Sequence, residues 1–193
     1  MAEIRVKGTG TIKLFESDNT SSVTIASPAS LGADRTITLP DYDVTLGDNT
    51  PAFYIFLSAN QTISTGTWTK LTLDSELYDT DSAFASNKFT VPAGQAGKYL
   101  FSFGGGTSSL TNSTAAAMRI YKNGSAMDNS FVRSYPNSST GAYPHKSVIY
   151  DLAVSDYIEL YGQHTYGSDR DFAGDSTGTA SYTFLSGQKL IGV

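Results

Sequence analysis

The chain has 193 residues, no cysteine, only 16% charged residues and a net charge of −5. Without thiols, neither disulfides nor thiolate metal sites can hold the fold, so stability has to come from burial and association. The 13 basic residues are scattered and outnumbered by 18 acidic ones, which leaves no phosphate-neutralising surface and makes nucleic acid an unexpected partner.

Abundant Gly, Ser and Thr and an aromatic content of 12% suit short strands joined by turns, so the expected class is all-β. The opening MAEIRVKG lacks the apolar core of a secretory signal, and no run of apolar residues is long enough to span a bilayer. The expectation is a chain made soluble inside a cell, with no membrane insertion.

From Ile4 to Leu46 the apolar residues come in short alternating bursts: Ile12 and Leu14, Val23 and Ile25, Ile37 and Leu39, Val44 and Leu46. Alternation of this kind reads as strands, and the Asp, Asn, Gly and Pro residues between bursts read as turns. Two apolar residues per burst cannot build an independent core, so residues 1–47 are expected to pack as a stem on symmetry mates or on a larger assembly.

Residues 48–51 read as a linker, and residues 52–193 as a second, aromatic-rich domain. Its strands are expected at 52–58, 68–73, 88–91, 97–105, 115–122, 146–153, 157–164 and 179–192, a spacing that suggests a sandwich or jelly roll. In AFYIFLS both faces are apolar, with Phe53, Ile55 and Leu57 alternating with Tyr54 and Phe56. In YIELY, Ile158 and Leu160 alternate with Tyr157 and Tyr161. One face of each strand can line the core; the other has to be covered as well, as it would be between subunits. Phe53, Tyr54, Phe56, Tyr157 and Tyr161 are therefore the expected interface residues.

The run Phe89-Thr90-Val91-Pro92, followed by Gly97-Lys98-Tyr99-Leu100-Phe101-Ser102-Phe103, resembles the signature of C1q-like domains, the jelly rolls of the C1q and tumour-necrosis-factor superfamily. Pro51-Ala52-Phe53, Arg119 to Gly124, Val154 to Leu160 and Ser181 to Gly187 resemble further strands of that family in the right order. Ser155 departs from the pattern, standing where the family has Gly before Asp156, and so does Leu185, which interposes between Phe184 and Ser186. The resemblance implies a homotrimeric jelly-roll head. Asn123-Gly124 independently marks a type I′ hairpin.

The N-terminal runs Gly10 to Leu14, Val23 to Ala29 and Thr36 to Pro40 are similar to a segment of tail-fibre and other structural proteins of marine bacteriophages. Together the two resemblances imply a virion structural protein, a trimeric fibre, knob or capsid decoration on the exposed surface of the particle, attached to capsid or tail proteins through residues 1–47. The alternative they leave open is a receptor-binding module of a tail fibre that recognises a host glycan or protein through the loops Thr111 to Thr114, Met127 to Gly141 and Tyr166 to Gly178.

Chemistry is harder to find. His145 and His164 lie in no catalytic motif and read as surface or rim residues, and a paired-carboxylate hydrolase has little room in a jelly roll of this size. Asp74, Glu76, Asp79 and Asp81, and separately Asp169, Asp171 and Asp175, offer oxygen ligands that calcium can use. The second group lacks the Glu of an EF-hand loop, and Arg170 intrudes. The reading is of solvated loops, with no cofactor and no catalytic residue expected.

Overall fold

A computed structural model of the chain describes residues 11–18, 20–26, 50–108, 110–111, 113–136, 141–175 and 182–191. The chain divides into two compact units, Met1–Val44 and Thr45–Val193.

In the first unit, β1 (Thr11–Phe15) and β2 (Ser22–Ala26) pair antiparallel. The register sets Ile12 opposite Ile25 and Leu14 opposite Val23, which brings all four side chains to one face of the hairpin. All four are exposed. The bursts at Ile37 and Leu39 and at Val44 and Leu46 lie outside the described residues.

The second unit carries β3 (Ala52–Phe56), β4 (Gln61–Ile63), β5 (Thr69–Lys70), β6 (Ser75–Asp79), β7 (Phe84–Ala85), β8 (Lys88–Thr90), β9 (Gly97–Gly104), β10 (Thr107–Ser108) and β11 (Ala116–Lys122). It continues with β12 (Ser125–Ala126), β13 (Val132–Ser134), β14 (Gly141–Ala142), β15 (His145–Leu152), β16 (Tyr157–His164), β17 (Arg170–Phe172) and β18 (Phe184–Lys189). A five-stranded sheet runs β15-β9-β18-β3-β6. A larger sheet runs β12-β11-β16-β8-β7, with β13 beside β11 and β5 beside β16, and a small sheet β14-β10-β17-β4 completes the unit.

The two main sheets meet through rings. Alternation along β9 sends Tyr99, Phe101 and Phe103 inward, where all three are buried with Phe53 and Ile55 of β3 and Leu185 of β18. From the larger sheet Phe89 stacks on Phe53 at 4.7 Å and meets Phe101 edge-on at 6.1 Å. These contacts make the expected all-β sandwich. Leu185, an irregularity in the sequence pattern, is simply the inward residue of β18.

Several strands escape sequence reading because they are only two to five residues long, too short for an alternation to show. SELYD forms β6 and RDF forms β17, although both lie in the acidic runs read as loops. Conversely, only Thr69–Lys70 of the expected strand 68–73 is in a ladder, while Leu71 and Leu73 still enter the core.

Asn123 and Gly124 have φ of 52° and 76°, as a type I′ turn between β11 and β12 requires. The Asn123 side chain donates to Asp156 at 2.7 Å and accepts the Tyr157 N–H at 2.8 Å. Ser155, where the family pattern has Gly, takes φ of +70°, so the glycine preference has a backbone cause and serine occupies the strained position.

Asp156 also accepts the Ala153 N–H and pairs with Lys122 at 2.7 Å. The bond from Lys122, followed by that from Asn123, holds its carboxyl down at about 2, below its ordinary 3.8. A depressed carboxyl stabilises the fold fully above its unfolded value and ceases to as pH falls through the folded one. Asp156→Asn is thus expected to be less stable than the parent at neutral pH. In urea denaturation the difference closes as pH drops from about 5 toward about 2.

His164 corrects an expectation: it is fully buried rather than at a rim, because β16 alternates Ile158, Leu160, Gly162 and His164 toward the core. Both ring nitrogens are used. Nε2–H donates to the Ile63 carbonyl at 3.0 Å and Nδ1 accepts the Tyr166 N–H at 3.3 Å, which assigns the neutral Nε2–H tautomer. His164→Leu strips both partners and is expected to cost about 3 kcal/mol in chemical denaturation. His145 is exposed at the start of β15, as expected.

Candidate functional site: the outward face of the five-stranded sheet

Because Tyr99, Phe101 and Phe103 point inward, Leu100 and Ser102 must point outward, and the same alternation turns Ser147 and Ile149 of β15 and Phe184 and Ser186 of β18 to that face. The ladder register then sets three rows across the sheet. Ile149 lies opposite Leu100, and Leu100 opposite Gln188. Ser147, Ser102, Ser186, Tyr54 and Tyr78 form the middle row, and His145, Gly104, Phe184 and Phe56 the third.

The face is apolar at both sides and internally satisfied at its centre. Ile149 is 55% exposed, Tyr78 50%, and the flanking Tyr182 and Tyr143 52% and 59%. The central hydroxyls have partners within the sheet: those of Ser102 and Ser147 share a hydrogen bond of 2.7 Å, and that of Ser186 donates to the Ser102 backbone carbonyl at 3.2 Å. Hydroxyls with partners inside the face lose little when water is removed, whereas unpaired ones would resist burial. At one end of the face, Lys98 and Asp151 oppose each other directly across the ladder, so their charges offset locally.

Gly104 makes the face concave. A Cβ there would sit 3.0 Å from the Phe184 ring and 3.1 Å from the His145 Cβ. Its absence opens a depression of about 260 Å³ walled by Tyr143, His145, Tyr182 and Phe184. Phe184 is held flat against Tyr54, ring centroids 5.2 Å apart and planes 7° from parallel.

The five aromatics expected at an interface are not brought together. Phe53 is fully buried in the core of its own chain and Phe56 is 6% exposed. Neither offers a neighbour much surface. Tyr54 belongs to the outward face just described. Tyr157 and Tyr161 lie on β16, in the other sheet, where their half-buried rings are partly covered by their own chain: Lys88 sits over Tyr157 at 4.4 Å, and Tyr121 stacks on Tyr161 at 3.7 Å. On the same side Arg119 lies over Trp68 at 4.2 Å, and Lys70 pairs with Glu159 at 2.7 Å.

Ile149 and Leu100 were missed, yet each sits in a legible pattern. In SVIYDL, Val148 and Tyr150 face inward, so an Ile between them can only face out. The same holds for Leu100 between Tyr99 and Phe101.

Three of the acidic residues are spent locally. Asp74 accepts the Ser58 N–H and hydroxyl at 2.8 and 2.7 Å, Asp79 accepts the Phe84 N–H at 2.8 Å, and Asp171 accepts the Thr62 hydroxyl at 2.6 Å. Among the described residues no group of three or more His, Asp or Glu side chains gathers where it could hold a metal ion.

No family model and no curated protein matches the sequence. Solved structures do match in fold. The globular domain of zebrafish complement 1qA protein aligns with a TM-score of 0.50 at 14% identity, covering 73% of this chain and 98% of that one. Eiger TNF from S. frugiperda aligns with a TM-score of 0.54 at 10% identity over 76% and 96%, and murine APRIL at pH 8.0 with 0.51 at 12% over 72% and 98%. At these identities the likeness is one of fold.

Proposed function

We propose that this chain, whose second unit is a jelly roll of the C1q and tumour-necrosis-factor type, is a homotrimeric, non-enzymatic structural protein of a virus particle, assembled through the outward face of its five-stranded sheet. One observation carries the self-association: that face combines exposed Ile149 and Tyr78 and half-buried Leu100 with a row of serines already bonded to one another. Such a surface gains by leaving water and leaves few polar groups unpaired. Analytical ultracentrifugation of the full chain at micromolar concentration tests it. A trimer is expected, and a monomer overturns the reading.

The stem supplies the link to a particle. Among the described residues the stem shows a two-stranded hairpin, which by itself is marginal in water, and its exposed row of Ile12, Leu14, Val23 and Ile25 favours a neighbour. The bacteriophage-like runs in the same segment favour a capsid or tail protein as that neighbour. Deleting residues 1–47 is expected to leave a folded trimer that no longer joins the particle; loss of folding would refute the modular arrangement. Electron cryo-microscopy of particles carrying the protein separates the two positions, since contact of the stem with shell subunits makes it a capsid decoration, and contact with tail proteins a fibre tip.

A second reading, recognition of a host glycan or protein by the head's loops, is favoured by Tyr135, which is 60% exposed in the Met127 to Gly141 loop. Residues 137–140 and 176–178 of the loops concerned, and Asn112, lie outside the described residues.

A further inference from the structure

The two main sheets end side by side. β6 is the last strand of the five-stranded sheet and β7 the last of the larger one, and between these edges lies a cleft of about 420 Å³. Its volume is within the range of small-molecule sites.

The floor of the cleft is apolar: Ile55 and Leu73 are buried, and Phe84 packs against the same core. Its mouth is polar and acidic. Glu76 stands on one side and the turn Ser86-Asn87 on the other, with Asp74 at the base of β6. The two carboxylates differ in availability, because Ser58 occupies both oxygens of Asp74, at 2.8 and 2.7 Å. Glu76 is exposed, and among the described residues no cationic side chain lines the cleft to pair with it. The ammonium of Lys70, which reaches the Ser86 carbonyl at 3.1 Å, is neutralised by Glu159 at 2.7 Å.

The walls are fixed before any ligand arrives. Ser86 and Asn87 have φ of 54° and 57°, a two-residue type I′ loop between the paired Ala85 and Lys88. The Lys70 bond ties this loop to the body of the sheet, and Asp79 holds the Phe84 N–H at 2.8 Å. A cleft held open in this way binds at a reduced ordering cost.

We propose that this cleft binds a small organic ammonium, its apolar body on Ile55, Leu73 and Phe84 and its charge against the Glu76 carboxylate. Two carboxylates alone would be a solvated rim; the apolar floor directly beneath them selects a ligand that is greasy at one end and cationic at the other. Anions are repelled by the same mouth, and strongly hydrated inorganic cations have no use for the floor. The ammonium can come from a free amine or from a lysine side chain of a partner. The site sits on the sheet edges and not on the outward face, so it stands or falls independently of the assembly reading.

The probe is 2-phenylethylammonium, titrated into the full chain and followed by amide NMR. Saturable shifts at Glu76, Ser86 and Asn87 are expected, with neutral 2-phenylethanol binding about fivefold more weakly, the scale of a half-exposed ion pair. Glu76→Gln should abolish the preference for the cation while the alcohol still binds, and Ala85→Trp, an exposed change at the mouth, should block both. Absence of saturable shifts, equal binding by 3-phenylpropionate, or a cation preference that survives Glu76→Gln would each overturn the site. Nα-acetyl-lysine amide distinguishes the sources: binding as tight as the free amine's assigns the site to a partner's lysine, and selective binding of the free amine assigns it to a small molecule.

Discussion

Leu100→Asp combined with Ile149→Asp is expected to turn the proposed trimer into a monomer in sedimentation velocity while leaving the far-ultraviolet circular dichroism unchanged. The two residues are directly opposite each other in the β9–β15 ladder and both face away from the core. Aspartate at either position therefore removes no core packing. In an assembled face it places carboxylates in an apolar, water-excluded surface, where an unpaired charge costs several kcal/mol. A ring of three subunits repeats that penalty at every interface, so association should weaken by well over about a hundredfold. A double variant that still sediments as a trimer would show that the subunits meet elsewhere. The opposite sheet would then be the next surface to test, through Tyr157 and Tyr161, whose rings Lys88 and Tyr121 partly cover.

The largest loss of stability is expected at Phe101. Its ring is fully buried and lies 6.3 Å from Phe53, 6.1 Å from Phe89, 6.0 Å from Tyr99 and 6.3 Å from Tyr150, so it joins both sheets at the centre of the core. Phe101→Ala removes that junction and leaves a cavity that rigid strands on both sides cannot close. The cost is about 4 kcal/mol, and for a unit of this size the melting temperature should fall by about 10 °C. Crowding is felt as sharply as loss. Gly187 lies opposite Phe101 in the β9–β18 ladder, and a Cβ there would come within 2.8 Å of the Phe101 ring and 2.7 Å of Phe53. The aromatic core is packed against a backbone position that has no side chain. Melting curves of Phe101→Ala within a degree or two of the parent would mean that the core had repacked.

Local chemistry settled the parts of this protein whose cause is local. Period-two alternation marked β9, β15 and β16, because a strand with one buried face must alternate. Asn-Gly marked the turn after β11, because both positions need positive φ, and the ordered aromatic runs carried the resemblance that the fold then matched. Ser155 stands out in sequence as a departure from the pattern, and its φ of +70° is the backbone reason that glycine is preferred there.

Tertiary structure decided everything that depends on a partner strand. Short strands such as β6 and β17 exist only because neighbouring strands accept their hydrogen bonds, and no periodicity in three to five residues announces them. Whether an aromatic is core, surface or ladder also lies beyond alternation. Phe53 and Tyr157 look alike in sequence, yet one stacks on Phe89 inside the sandwich and the other lies under Lys88 on the opposite sheet. Burial of His164 follows from the ladder parity of β16 and from a carbonyl a hundred residues away, at Ile63. The amino-acid sequence determines which faces of each strand are apolar; only the pairing of strands decides which of those faces the chain covers for itself and which it leaves for another molecule.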